Sequence, residues 1–251
     1  MVNDNIVNLA AEAGKIMLEN GGETYRVEQT INMICNAYNV KNTESFVSPT
    51  AIITSTNDER GKSSTIIKRI TSRSIDLQKV ALVNDLSRKV QIQALPLKEL
   101  SDEIEKIKDY PRYSFKVKSF FAGINTSFFT LLFGGNIFDF VVSFFTGVII
   151  NYLSSILSRL KVNDFFINIA GGTIAGIVGL TAASLNPIFN KDKIIIGSIM
   201  LLVPGLTITN AIRDIIAGDL ISGLSRFLEA IVIAGAIAIG TAVSFKLWMS
   251  L

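Results

Sequence analysis

Apolar residues form long stretches in the second half of the chain and short periodic groups in the first half. From residue 119 onward, successive stretches of about 20 residues carry at most one charge each. A helix needs about 20 mostly apolar residues to cross the hydrocarbon core of a bilayer. We therefore predict about five transmembrane helices, at 117–138, 139–158, 165–187, 194–212 and 225–247.

The first half has the pattern of a water-soluble domain. Apolar residues recur every three or four positions over 6–19, 23–40, 76–92 and 97–108, which predicts amphipathic helices. Two β-like segments, 45–54 and 64–70, flank a turn-like sequence at 57–62, and Pro49 indicates an edge or a bend. The fold class is therefore an α-helical membrane protein preceded by a small α+β domain. Its domains are predicted at 1–112 and 113–251.

Charge indicates how the chain is oriented. Basic residues precede the first predicted span and follow the second and fourth, at Arg159 and Arg213 among others. Because cytoplasmic loops are enriched in Lys and Arg, the α+β domain is predicted to be cytoplasmic in a multi-pass cell-membrane protein. Lys191 and Lys193 oppose this orientation.

Composition excludes several kinds of site. The sequence contains no histidine, which excludes His-based metal sites and Ser-His-Asp triads. Cys35 is its only cysteine, so an intrachain disulfide is impossible, and helical spacing predicts a buried free thiol. We predict no cofactor, no metal and no catalytic residue.

Two polar clusters of the first half allow alternative interpretations. One cluster, within GGETYRVE, consists of Glu23, Tyr25, Arg26 and Glu28. It either lines a site or forms a solvated first turn with Glu23 favoured by the helix dipole. The basic residues Lys68, Arg69 and Arg73 either contact anionic lipid or nucleic acid or form a solvated face. We favour the solvated alternative for both clusters and predict no nucleic-acid partner.

The most unusual stretch is LLVPGLTITNAIRDIIAGDLISG, residues 201–223. Pro204 and Gly205 interrupt a predicted span, and free backbone groups at membrane depth are tolerated only inside protein or beside a wet cavity. A helix capped by Thr207 or Thr209 would point its N–H groups into the break, where they suit a carboxylate.

Polar residues on and near this stretch are the candidate substrate or coupling groups. Thr207, Asn210 and Asp214 share a helix face, and Arg226 and Glu229 lie on the next helix. Without histidine, Asp214 and Glu229 are the candidates for proton coupling. In the alternative, Pro204 is a packing kink and the charges form a cytoplasmic loop. The candidates are Pro204, Gly205, Thr207, Asn210, Arg213, Asp214, Asp219, Arg226, Glu229 and Asn125.

Small residues recur at helical spacing in two predicted spans. Gly172 and Gly176 form a GxxxG step, and Ala230, Ala234 and Ala238 repeat every four residues. Small residues allow helices to approach closely. We predict helix packing here, within the chain or between subunits.

Four segments resemble the threonine/serine exporter family: residues 21–35, 44–52, 73–88 and 201–224. The resemblance implies a cytoplasmic N-terminal domain, membrane helices and export of a small polar metabolite. Full-length members carry about ten spans, whereas about five are predicted here. The resemblance therefore also implies that this chain is the larger half of a split exporter. Similar split systems use a smaller partner of about four spans and include a dicarboxylate (succinate) exporter. The resemblance assigns no substrate-binding residues.

Together these observations predict a subunit of a proton-coupled exporter. Its substrate would be threonine, serine or a dicarboxylate such as succinate. We expect a small-molecule substrate, a lipid bilayer, a smaller membrane subunit and an oligomer as partners. Two alternatives stay open: a membrane-anchored enzyme with its active site in the N-terminal domain, and an uncoupled channel or scaffold.

Overall fold

The computed structural model describes residues 2–57 and 63–250 and is mostly helical. The chain divides into two compact units. The N-terminal unit comprises Met1–Arg112 and Leu206–Leu228, and the helical unit comprises Tyr113–Gly205 and Glu229–Leu251. Residues 206–228, which the apolar pattern assigns to the predicted membrane domain, group here with the first 112 residues.

Among its described residues, the N-terminal unit contains four helices and three strands before residue 112. Amphipathic periodicity predicted these helices, and each begins within a few residues of the expected position. The elements are α1 (Val2–Glu19), α2 (Thr24–Ala37), β1 (Thr43–Ser48), β2 (Ala51–Asn57), β3 (Ser63–Arg69), α3 (Leu77–Ile92) and α4 (Leu97–Lys108).

The strands form one antiparallel sheet in the order β1-β2-β3. The single β-like segment expected at 45–54 is two strands, because the chain turns at Pro49–Thr50. A turn was also expected at 57–62, and residues 58–62 of it lie outside the described residues. One face of the sheet buries Val47 and Ile52 in a core shared with α1 and α2.

Cys35 lies on the buried face of α2, where its neighbours include Ile31 and Ile34. The predicted buried free thiol is therefore confirmed. Burial raises the pKa of the Cys35 thiol to about 11, so the folded domain protects it from thiol reagents.

In the described part of the chain, six helices follow Arg112. They are α5 (Phe115–Leu132), α6 (Ile137–Arg159), α7 (Asp164–Leu185), α8 (Lys191–Ile199), α9 (Gly205–Ala217) and α10 (Leu220–Met249). Among the described residues, α6, α7 and α10 are long and apolar enough to cross a membrane. The number of spans, predicted as about five, depends further on α5 and on the pair α8–α9.

Close helix contacts hold the helical unit together. The buried Thr130 hydroxyl of α5 donates to the Ser143 hydroxyl of α6 at 2.7 Å. A Cβ atom on Gly172 of α7 would lie 2.7 Å from the Ile237 carbonyl oxygen of α10. Only a glycine permits that approach, as expected for the GxxxG step.

Candidate functional site in the N-terminal unit

The candidate site is built on a helical hairpin formed by α9 and α10. The predicted break is present: α8 ends at Ile199, and α9 begins at Gly205. The predicted cap at Thr207 or Thr209 is wrong, because the new helix starts before either residue. Gly205 directly follows Pro204, whose fixed φ and missing N–H suit the chain just ahead of a helix.

A tight turn then joins α9 to α10. Gly218 adopts a left-handed φ of +97°, and the Asp219 N–H donates to the Asp214 carbonyl at 2.8 Å. This six-residue closure is the Schellman pattern, which satisfies the last carbonyls of a helix. The turn brings Asn210 and Asp214 of α9 onto the same side as Ser222 and Arg226 of α10, and all four are buried.

The opposite surface of the hairpin is apolar and exposed. It consists of Ile212, Ile215, Ile216, Leu220, Ile221, Leu224, Phe227 and Leu228. The distribution is inverted relative to a water-soluble hairpin, which buries its apolar side chains. An exposed apolar surface of this size is typical of contact with lipid or with another protein.

Asp214 is the centre of the buried polar face. The Thr24 N–H donates to Asp214 Oδ1 at 3.1 Å, and the Thr24 hydroxyl donates to Oδ2 at 3.1 Å. Arg226 Nε lies 3.1 Å from the same Oδ2. Because Thr24 is the first residue of α2, the carboxylate also lies at the positive end of a helix dipole.

The two glycines before α2 complete this network with their carbonyl groups. Arg226 donates to the Gly22 carbonyl at 3.0 Å, and the Asn210 amide donates to the Gly21 carbonyl at 2.9 Å. Gly21 has a φ of +99°, a conformation that side chains rarely adopt. The Gly-Gly pair therefore lets the backbone turn so that its carbonyls point at the hairpin.

Glu23 forms the outer edge of the network. It is buried and pairs with Arg213 of α9 and, at 3.0 Å, with Arg26. Burial acts to raise the pKa of the Glu23 carboxyl, but hydrogen bonds from Tyr25 and Arg213 outweigh it and hold the pKa below its ordinary value. The preferred interpretation of this stretch as a solvated first turn is therefore wrong for Glu23.

A second contact joins the hairpin to the sheet. Val47 of β1 donates its N–H to Glu28 at 3.0 Å and accepts at its carbonyl from the Ser222 hydroxyl at 3.2 Å. Burial raises the pKa of Glu28, the Val47 N–H acts against the rise, and the charges of Asp219 and Asp214 add to it. We call the whole set of contacts around Asp214, Glu23 and Val47 the clasp.

The clasp contains four of the predicted candidates: Asn210, Arg213, Asp214 and Arg226. Thr207 is half-buried on α9. Pro204 precedes that helix, Gly205 begins it, and Asp219 lies in the turn. Asn125 and Glu229 belong to the helical unit, where Asn125 is exposed on α5 and Glu229 is half-buried on α10. The roles of all ten in substrate binding or coupling stay predictions.

Sequence reasoning missed Thr24 and the backbone of Gly21, Gly22 and Val47. No local pattern links these residues to positions almost 200 residues later. A signal did exist, since both halves of the clasp, 21–35 and 201–224, are segments that carried the family resemblance.

Comparison with known proteins decides the family. Residues 8–248 match the ThrE family model, described as "Putative threonine/serine exporter". The chain belongs to the threonine/serine exporter family. No solved structure is significantly similar to it.

The relatives of this exporter-family chain fall into two length classes. It is 25% identical to "Threonine/serine exporter" of Corynebacterium glutamicum, over 96% of this chain and 51% of that protein. It is also 25% identical to "Probable succinate transporter subunit YjjP" of Klebsiella aerogenes, over 97% of this chain and 94% of that protein. A third relative is "Probable threonine/serine exporter" of Mycobacterium tuberculosis, 23% identical over 96% and 46% of the two chains. The chain thus spans about half the length of the two threonine/serine exporters.

Proposed function

We propose that this chain is a subunit of a membrane exporter that moves a small carboxylate-bearing metabolite out of the cytoplasm. The family match over residues 8–248 carries this proposal. Threonine or serine is favoured by the names of two relatives, and a dicarboxylate such as succinate by the name of YjjP. The domain at residues 1–112 would be cytoplasmic and the apolar helices would lie in the cell membrane.

The exporter would need a second membrane protein. YjjP, which this chain matches over 94% of its length, is named a transporter subunit. The Corynebacterium glutamicum exporter is about twice as long as the matched region. We propose that a smaller membrane protein, of about four spans, supplies the remaining helices that surround the solute path.

The clasp has the chemistry that recognises a carboxylate. A guanidinium, a hydroxyl and a backbone N–H at a helix N-terminus converge on Asp214. These are the donors that a solute carboxylate requires. In our proposal Asp214 is an internal ligand that a solute carboxylate replaces, which makes Arg226 and Thr24 the solute-binding groups.

Coupling to protons would follow from the same exchange. Protonation of Asp214 removes its negative charge and weakens its hold on Arg226 and Thr24. In a chain without histidine, Asp214 and Glu229 are the acids we propose as proton carriers. The break around Pro204 and Gly205 would let α9, which carries Thr207, Asn210 and Arg213, move during the exchange.

Transport into proteoliposomes tests the proposal. Vesicles containing the chain and its smaller partner, energised with a pH gradient, should accumulate labelled threonine, serine or succinate. Asp214→Asn should abolish accumulation. The matched control, Asp164→Asn, makes the same chemical change at an exposed residue that begins α7 and should transport normally.

Several results would count against the proposal. Vesicles that accumulate no amino acid or dicarboxylic acid would contradict the export function. Flux that ignores the pH gradient and survives Glu229→Gln would instead support an uncoupled channel. Equal losses in Asp214→Asn and Asp164→Asn would remove the clasp from the mechanism.

A further inference from the structure

The outer face of the sheet in the N-terminal unit carries a row of exposed apolar side chains. The strand register places Phe46 opposite Ile53, and Ile53 opposite Ile67. Alternate residues of a strand point to opposite faces, so these three lie side by side on the face away from the helices. Their side chains are 54%, 37% and 67% exposed, respectively.

Small residues flank the centre of this row along β2. On β2, Ile53 has Ser55 on one side and Ala51 on the other, two residues away along the same face. Along the central strand, one large side chain therefore stands between two small ones. Such a surface can receive the side chains of a similar surface that crosses it.

The corners of the face carry opposite charges. Glu44 of β1 lies in the row of Ser55, and Arg69 of β3 lies in the row of Ala51, so the two charges occupy diagonal corners. Both are exposed, and among the described residues neither forms an ion pair. Lys68, the neighbour of Arg69, points to the other face and pairs with Glu12 at 3.0 Å.

We propose that this sheet face binds the same face of a second copy of the chain. The two copies are related by a two-fold axis that passes through Ile53. The axis runs parallel to the face and perpendicular to the line that joins Glu44 to Arg69. It sets Glu44 of each copy over Arg69 of the other and pairs the two Ile53 side chains. The apolar rows then cross steeply, close to the orthogonal packing of sheets. Phe46 of each copy falls near Ala51 of its partner.

The size of the face indicates where such a contact can exist. Three strands about 4.8 Å apart and about seven residues long cover roughly 300 Å², taken from standard strand dimensions. A stable complex of soluble proteins buries about 800 Å² per partner. The face is too small to hold two free domains together, but membrane attachment of both chains raises their effective concentration.

Cysteine cross-linking of the full chain in membranes tests the contact. Ile53→Cys should form a disulfide-linked homodimer under mild oxidation, because the two-fold axis passes through this residue. Ile92→Cys is the matched control: Ile92 is 89% exposed, against 37% for Ile53, but lies at the end of α3. Random collision would favour position 92, so preferential linkage at position 53 requires the proposed contact. The native Cys35 is buried and should not contribute.

Charge reversal sharpens the test. In the Ile53→Cys background, Glu44→Arg should reduce the homodimer yield about fivefold, because two exposed ion pairs become repulsive. Adding Arg69→Glu should restore it. Equal yields at positions 53 and 92, linkage of position 53 to a different protein, or no recovery in the double reversal would each overturn the proposal. Because the readout is cross-linking, it does not depend on the transport activity proposed above.

Discussion

Removing the charge of Asp214 should open the N-terminal unit more than replacing the whole ion pair does. Asp214 is fully buried and Arg226 is 5% exposed, so each charge depends on the other. Taking away one partner of a buried pair costs about 3–5 kcal/mol, since the other charge stays in the interior. Replacing both partners with apolar residues of similar volume is often neutral. We expect Asp214→Asn to be strongly destabilising and Asp214→Leu/Arg226→Met to be less so, because the double variant leaves no lone buried charge but still leaves Thr24 and the Gly22 carbonyl without their partners.

Cys35 supplies the assay. It is the only cysteine of the chain, and it is buried in the core of the N-terminal unit. Its modification by a thiol reagent therefore reports opening of that unit. At about 1.4 kcal/mol per tenfold change, a loss of 3–5 kcal/mol raises the rate about 100- to 4,000-fold. The rate should be measured in detergent and in bilayers, where the exposed apolar surface of the hairpin is covered.

The same variants separate stability from transport. The apolar double variant should react at Cys35 more slowly than Asp214→Asn and lose solute accumulation, because it has no guanidinium to bind a carboxylate. If Asp214→Asn left Cys35 as unreactive as in the wild type, the burial argument for the clasp would be refuted. If the double variant transported normally, Arg226 would not be a solute-binding group.

Three further predictions concern the edges of the clasp. Thr24→Val should accelerate the thiol reaction by the loss of a hydrogen bond to a charged group, about 1.5–3 kcal/mol, whereas Thr24→Ser keeps the hydroxyl donor to Asp214 and should match the wild type. Gly218→Ala should cost about 1–2 kcal/mol because of its left-handed φ, while Gly235→Ala, in a helix with open space around it, should be harmless in the same assay. Because folding lowers the pKa of Glu23, its carboxylate stabilises the fold at pH values above the ordinary pKa of 4.5. This stabilisation is lost as the pH falls through the pKa of the folded state. The Tm advantage over Glu23→Gln, followed by circular dichroism, should therefore fade below pH 4.5, and an advantage that grew on acidification would contradict the assignment.

Periodicity was enough to predict most of the helices but not the hairpin between β1 and β2. The helices of the first half each carry an apolar stripe every three or four residues, and that stripe is a local property. The segment 45–54 is apolar on both sides of Pro49, and a proline in such a run fits a bend as well as a turn. Only the antiparallel pairing of β1 with β2, which an apolar run by itself does not show, distinguishes the two.

Local sequence patterns are also insufficient to predict the candidate site. Helical spacing predicted that Asn210 and Asp214 share a face, and they do. Periodicity identifies which residues face the same way, but it does not identify what covers them. Here the cover is the first turn of α2, whose Thr24 and Gly22 groups approach from a part of the chain almost 200 residues away. The prediction of a water-facing break, by contrast, used only local features around Pro204.

The hairpin also explains why charged residues stand so close to apolar helices in this family member. The buried polar face needs partners, and the N-terminal unit provides them from Gly21 to Glu28. The apolar outer face needs a nonaqueous environment, which lipid or a second subunit can provide. α10 runs without interruption from Leu220 to Met249, so Arg226 and Glu229 lie on one continuous helix, three residues apart. A rotation or shift of α10 that changed the partners of Arg226 would therefore move Glu229 as well. We expect the two acids proposed as proton carriers, Asp214 and Glu229, to respond together rather than as independent sites.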